Sequence, residues 1–344
     1  MRASPKDAAG AASRNDPGSA ASSRTGTGIS IVICSKDRAD ELQHAVASIR
    51  SSGKAGCSAE IVIVEETASP RSIPDVKYIH LTDEGRGFGH ARNLGVRQTS
   101  HDLVLFIDDD CEAEAGWVEA LSAPLLEDPE LLGVAGSVRV RDCNLIGYAE
   151  NILGFPGGGL RYLHQAQERV VPTRYLSTCN CAYRRRAIER AGGFPEDAAE
   201  GGEDFLLAER VCTLGRCAYA RDAAVYHRPR GNLRAIFRWF ARRGRSEWLI
   251  LARGRNRFDL LRSLLRSSWT LRSLATLIAL LLWPRLALLL PFATLTYYGA
   301  ILWRFRFARL YPSHRRAWWL VPIVKLTMDL GTEAGRWQAL TGRR

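Results

Sequence analysis

Two rhythms of apolar and polar residues alternate through the first half of the chain. Ile29-Ser-Ile-Val-Ile-Cys34, Glu60-Ile-Val-Ile-Val64 and His101-Asp-Leu-Val-Leu-Phe-Ile107 are short apolar runs rich in β-branched residues. They read as strands buried on both faces. Between them the apolar spacing lengthens to three or four: Leu42, Val46 and Ile49 share one face of a helix predicted over 37–49, and a second helix is predicted over 89–98. A short strand is predicted over 76–81. Such alternation predicts an α/β fold with a mainly parallel central sheet flanked by helices, with ligands bound outside the carboxyl ends of its strands.

Residues 131–227 are more mixed, with a strand predicted over 133–140 and another over 175–183. Between them, Gly154-Phe-Pro-Gly-Gly-Gly159 suits either a mobile segment over a site or a plain surface connection. A helix is predicted over 203–214, with Phe205, Leu206, Val211 and Leu214 facing inward. Beyond it come a basic helix over 232–252 and two apolar stretches, 274–283 and 286–303, separated by Pro284-Arg285. Eighteen helical residues reach about 27 Å, close to the hydrocarbon thickness of a bilayer, and ten cannot cross. Arg262, Arg266 and Arg272 precede these stretches and Arg304, Arg306 and Arg309 follow them. Positive residues on both flanks favour a hairpin with both ends in the cytoplasm, or helices lying in the interface. A soluble helical subdomain is the alternative. Residues 318–330 read as a further interfacial helix.

Charge sharpens this division. From Arg228 onward there are 23 Lys/Arg against Glu247, Asp259, Asp329 and Glu333, so a formal net charge of +12 hides a basic tail and an acidic first part. Eight of the nine tryptophans lie in that tail. Basic residues beside tryptophan and long apolar runs point to membrane lipids as partners and not to nucleic acid. Residues 1–28 lack an apolar run and read as a disordered tail without a secretory signal, which places the catalytic part in the cytoplasm. The eight cysteines form no Cys-x-x-Cys pair and no zinc spacing with His, so they read as reduced, mostly buried thiols. The expected organisation is a tail (1–28), a catalytic domain (29–230), basic juxtamembrane helices (231–272), an apolar hairpin or transmembrane segment (273–303) and a basic interfacial C-terminal tail (304–344).

The densest chemistry stands at the end of the third long apolar run, where Asp108, Asp109 and Asp110 follow Ile107. Adjacent carboxylates raise one another's pKa unless a cation supplies the missing charge. Mg²⁺ or Mn²⁺, hard ions that share their shell with phosphate, would suit the cluster. The alternative is a solvated strand-end turn.

These runs and their neighbours together resemble family-two glycosyltransferases of the GT-A fold. The resemblance rests on Ile29-Ser-Ile-Val-Ile-Cys-Ser-Lys-Asp-Arg38, Glu60-Ile-Val-Ile-Val-Glu65, Gly87-Phe-Gly-His-Ala-Arg-Asn-Leu-Gly95 and Phe106-Ile-Asp-Asp-Asp110. It continues through Cys179-Asn-Cys-Ala-Tyr-Arg184, Gly192-Gly-Phe-Pro195 and Gly202-Glu-Asp204, covering residues 29–250. It implies an inverting sugar transfer from a nucleoside diphosphate donor. Ser35, Asp37 and Glu65 would lie at the nucleotide base; the family usually has Asp where this chain has Glu65. Arg92 and Asn93 would face anionic or ribose oxygens, aided by the glycines around them.

Asp108 would sit near the ribose or metal and Asp110 directly on the metal, joined by His227, which is otherwise a core or surface histidine. Asp204 would be the general base, with Glu203 beside it as an orienting group; both could equally serve only the N-terminus of their helix. Trp239 within Arg238-Trp239-Phe240 resembles the Gln-x-x-Arg-Trp motif of processive synthases, but Ala235 occupies the Gln position. Single-sugar transfer to a lipid-linked or glycan acceptor at the cytoplasmic membrane is therefore expected. A nucleotidyltransferase acting on a sugar phosphate and a non-catalytic membrane adaptor are the rival readings.

Overall fold

The computed structural model describes residues 28–53, 59–82, 85–197, 201–254, 262 and 268–342. The expected disordered tail falls, but for Gly28, outside the described residues. In chain order the first half comprises β1 (Ile29–Lys36), α1 (Ala39–Ser52), β2 (Ala59–Glu66), β3 (Lys77–Leu81), α2 (Gly87–Gln98), β4 (Leu103–Ile107), β5 (Cys111–Ala113), α3 (Trp117–Glu127) and β6 (Leu131–Arg139). There follow α4 (Leu145–Ile152), α5 (Gly159–Gln165), β7 (Val170–Pro172), β8 (Asn180–Arg184), α6 (Arg185–Arg190), α7 (Glu203–Leu214), β9 (Arg216–His227) and α8 (Leu233–Gly254).

The strands form one mixed sheet in the order β3-β2-β1-β4-β8-β6-β9-β5, with β7 also on β9. β1 to β4 run parallel, β8 is antiparallel to both of its neighbours, and β6 and β9 are parallel. Period-two side chains explain why both faces are covered. Ile31, Ile33, Leu103 and Leu105 pack with Leu42 and Val46 of α1 and Trp117 and Leu121 of α3. Val32, Val64, Val104 and Phe106 pack on the other face with Ala91 and Val96 of α2 and Leu207 and Val211 of α7. This is the α/β architecture expected from the alternating rhythms.

Two readings change and one open alternative narrows. The strand expected over 175–183 begins at Asn180, and residues 175–179 form a loop that lines a cavity. Asn180 explains the boundary: its amide donates to the carbonyls of Ser137 and Ala223, 2.9 Å each, and its oxygen accepts from the Trp117 indole, also at 2.9 Å. The inward face of α7 is Leu207, Ala208 and Val211, whereas Phe205 and Leu214 are exposed and Phe205 and Leu206 line the cavity. The glycine-rich segment, expected either over a site or as a surface connection, links α4 to α5 and borders the cavity with Phe155, Pro156 and Gly157, Phe155 packing edge-on against Trp239 and Phe240 of α8.

After α8 come α9 (Trp269–Leu282), a 3₁₀ turn (Pro284–Leu289), α10 (Leu290–Arg304) and α11 (Val321–Thr341). α11 packs one face on the domain, where Val321, Val324 and Met328 join Ile236 and Phe240 of α8 in a third core, while Ile323, Leu330, Trp337 and Leu340 stay exposed. Gly331 and Gly335 allow the close approach, because a Cβ on either would overlap the Phe237 or Ala241 carbonyl of α8. The apolar stretch is different. No residue of α9 is buried, and Leu281 and Leu288 are 73% and 74% exposed. Pro284–Arg304 is a 21-residue apolar segment, long enough by length and composition to cross a bilayer.

Candidate active site

A cavity of about 1250 Å³ opens where the carboxyl ends of β1 and β4 meet the start of α7 and one face of α8. It exceeds the roughly 300–1,000 Å³ usual for a single small-molecule site, so it is roomy enough for more than one ligand group. Asp108, Asp109 and Asp110 follow the last residue of β4, and the strand-end turn gives each a different partner. Arg92 reaches Asp108 at 3.4 Å. Ser35 donates to Asp109 at 2.8 Å, and Arg38 spans Asp109 at 3.1 Å and Asp110 at 3.0 Å. The antiparallel register that pairs Cys111 of β5 with His227 of β9 sets the imidazole Nε2 3.3 Å from Asp110.

Electrostatics separates the three carboxyls. Burial raises the pKa of Asp108 despite Arg92, and burial together with Asp110 pushes Asp109 up to about 6. Burial also works against ionised Asp110, but His227 and then Arg38 outweigh it and hold Asp110 well below the usual carboxylate range. His227 is raised in return, because Asp110 outweighs the burial of its ring.

Asp110 Oδ1 is the oxygen that faces His227 Nε2, while His227 Nδ1, on the other side of the ring, is buried without a hydrogen-bond partner. A carboxylate oxygen and an imidazole nitrogen form a donor set that fits Mn²⁺. Among the described residues, no three His, Cys, Asp or Glu side chains converge on one metal-sized point. A cation here would therefore depend on ligand oxygens to complete its shell.

The acidic pair of α7 divides its work. Gly202 caps the helix in a left-handed conformation, φ +92°, a turn that favours glycine and delivers Glu203 and Asp204 to the cavity. Glu203 is buried and ion-paired with Arg92, which also lies 5.3 Å from the centre of the Phe88 ring. Burial raises the Glu203 pKa even so. Asp204 accepts from Ser177 Oγ at 3.1 Å and from the Phe205 N–H at 2.7 Å.

Other residues expected at the site lie further back. Asn93 donates to the Phe194 carbonyl and accepts the Phe194 N–H, 2.8 Å each, fixing the loop whose Phe194 ring supports Arg92. Glu65 is fully buried, paired with Arg71 at 2.9 Å and accepting from the Tyr78 hydroxyl at 2.7 Å. Asp37 is exposed at the end of β1 with φ +53°. Neither Glu65, Asp37 nor Asn93 lines the cavity. Sequence reasoning missed Arg38, Ser177 and Asn180. Asn180 stood in a quoted motif, whereas Ser177 fell inside the expected strand.

Residues 30–192 match the model of glycosyl transferase family 2, so this stretch of the chain is similar to that family's domain. Among its relatives are a glucosyl-dolichyl phosphate glucuronosyltransferase of Haloferax volcanii, 26% identical over 44% of this chain and 50% of its own length. A pre-mycofactocin glycosyltransferase of Mycobacterium tuberculosis is 28% identical over 62% of this chain and 45% of its own. The chain thus spans about half the length of these curated relatives. A mannosyltransferase from Pyrobaculum calidifontis, solved with GDP-mannose and Mn²⁺, shares the fold over 92% of this chain and 88% of its own, with a TM-score of 0.57 at 19% identity.

Proposed function

We propose that the chain transfers a sugar from a nucleoside diphosphate donor to a lipid-linked or glycan acceptor, with inversion, at the cytoplasmic face of a membrane. The observation that carries this reading is the meeting of Asp110, which lies in the stretch 30–192 that matches family two, with His227 and Asp204 in one cavity. Mg²⁺ or Mn²⁺ would be held chiefly at Asp110, with Asp108 and His227 joining only as the bound donor draws them together, and would offset charge on the leaving diphosphate. The relative solved with GDP-mannose and Mn²⁺ supports that choice of ion.

Asp204 takes the acceptor hydroxyl proton as that oxygen attacks the anomeric carbon. The bond to the diphosphate oxygen breaks on the opposite face, and its electron pair leaves with the nucleotide. Ser177 and the Phe205 N–H fix both Asp204 oxygens, so the carboxylate is oriented before substrate arrives. Glu203 holds Arg92, which presents its charge toward Asp108 and the donor. On the nucleotide side, Ser35 acts through Asp109 and Asn93 through the Phe194 loop, and any part of Asp37 or of the buried Glu65 in base recognition would be exerted from outside the cavity lining. The exposed apolar segment 284–304 would seat the domain on the membrane.

Donor turnover with Mn²⁺ or Mg²⁺ by wild type and Asp204→Asn tests the assignment. Loss of a proton-accepting carboxylate is expected to lower turnover by about 10²–10⁴-fold. Full activity in the variant would remove Asp204 from the base role. Pyrophosphate released from a nucleoside triphosphate would instead identify a nucleotidyltransferase.

A further inference from the structure

The charges around the cavity do not balance evenly. On the sheet side, Arg38 spans Asp109 and Asp110, His227 meets Asp110, and Arg92 meets Glu203 and Asp108. A divalent cation would offset the two charges of a donor diphosphate. The opposite wall is the face of α8 carrying Arg238, Arg242 and Arg243, all exposed. Among the described residues none of these three has a carboxylate partner. Burial and then the neighbouring Arg230, Arg38, Arg238 and Arg245 destabilise the charged form of Arg242.

The place of this ridge matters as much as its charge. Arg243 lies 5.7 Å from the Trp239 ring centre and 5.5 Å from that of Phe155, giving the ridge apolar faces as well. Gln338 of α11 lines the same cavity, and its neighbour Trp337 donates to Thr270 in the first turn of α9 at 2.8 Å. One wall of the cavity is therefore a single residue along α11 from the start of the exposed apolar helices.

We infer that the α8 ridge of Arg238, Arg242 and Arg243 is a second anion subsite, built for the phosphate or diphosphate of an acceptor whose hydrocarbon chain lies along α9 and α10. The inference rests on the proposed transfer and narrows its acceptor to a phosphorylated lipid carrier. Guanidinium forks match phosphate oxygens, and the adjoining apolar surface suits a prenyl-type chain. A neutral glycan or neutral glycolipid would leave the three charges unmet.

Titration calorimetry on the full chain in phosphatidylcholine nanodiscs, with EDTA present, tests this directly. The probes are geranyl diphosphate, geraniol, inorganic pyrophosphate and dihexanoyl phosphatidylglycerol. Geranyl diphosphate is expected to bind without metal, geraniol not to bind, and pyrophosphate to bind more weakly than the prenyl ester. Arg242→Gln and Arg243→Gln should each weaken the prenyl ester about tenfold or more, the scale of a charge-assisted hydrogen bond. Both arginines are exposed, and unchanged melting temperatures would show that the variants fold.

Binding that requires Mn²⁺, or that neither substitution weakens, overturns the inference. Equal binding of phosphatidylglycerol assigns the ridge to bilayer headgroups and overturns the acceptor subsite. Nucleoside diphosphate sugar binding in Mn²⁺, measured on the same preparation, reports separately on the proposed transfer. Its failure with the prenyl ester still bound would count against that transfer and leave the anion site standing.

Discussion

Replacing Arg92 with Met tests the electrostatic frame of the site most sharply. Arg92 is 7% exposed and faces Glu203 and Asp108, while Phe88 and Phe194 border its guanidinium. Met preserves most of the buried stem and removes the charge. Two carboxylates then remain with their counter-ion gone, and breaking a buried pair in this way costs about 3–5 kcal/mol. Glu203→Gln leaves Arg92 still facing Asp108, so its cost should be smaller, about 1–2 kcal/mol.

The double variant should cost less than the sum of the singles, with an interaction of at least about 1 kcal/mol. Acid should also rescue the Arg92→Met protein. Burial already raises the Glu203 pKa, and loss of Arg92 raises it further. A folded state that holds the proton more tightly than the unfolded chain gains stability as pH falls. The assay is urea denaturation of the four proteins at pH 7 and pH 5, without added metal. Additive costs, or a deficit for Arg92→Met that does not shrink at pH 5, would refute the account of this buried pair.

Two further predictions concern the C-terminal part. Burial lowers His314 from 6.5 to about 4, although Asn151 Oδ1 lies 3.1 Å from its Nε2. Its contribution is present above the unfolded pKa of 6.5 and is lost as pH falls toward 4, up to about 3 kcal/mol. His314→Gln should flatten this part of the pH–stability curve in thermal melts between pH 4 and 7; an unchanged acid limb would count against it. The exposed apolar surface of α9 and α10 should keep the full chain in the membrane fraction after alkaline carbonate extraction, and recovery in the supernatant would argue against insertion.

The sheet was legible because both of its faces are buried. Ile29-Ser-Ile-Val-Ile-Cys34 and Leu103-Val-Leu-Phe-Ile107 carry unbroken apolar character, and β1 and β4 lie where those runs predict. The acidic site residues were legible as motifs, but their division of labour was not. Nothing local says that Ser35 and Arg38 hold Asp109, because those contacts span 74 and 71 residues of chain.

The loop over 175–179 was misread since Tyr175, Leu176 and Thr178 are residues that strands favour, and only the long-range bonds of Asn180 mark where β8 starts. In the C-terminal part, tryptophan and arginine drew attention to the membrane. The glycines at 331 and 335, which let α11 dock on α8, stand four apart on one helix face, a signal that the search for apolar residues passed over.

The central claim is a donor diphosphate held beside Asp110 through a divalent cation. Its most direct test is calorimetry of the full chain with UDP-, GDP- and dTDP-sugars, with Mn²⁺ and with EDTA, for wild type and Asp110→Asn. The account expects at least one donor to bind wild type in Mn²⁺, with that binding lost in EDTA and in the variant. Donor binding unaffected by EDTA and by Asp110→Asn, or no donor binding at all, would contradict it.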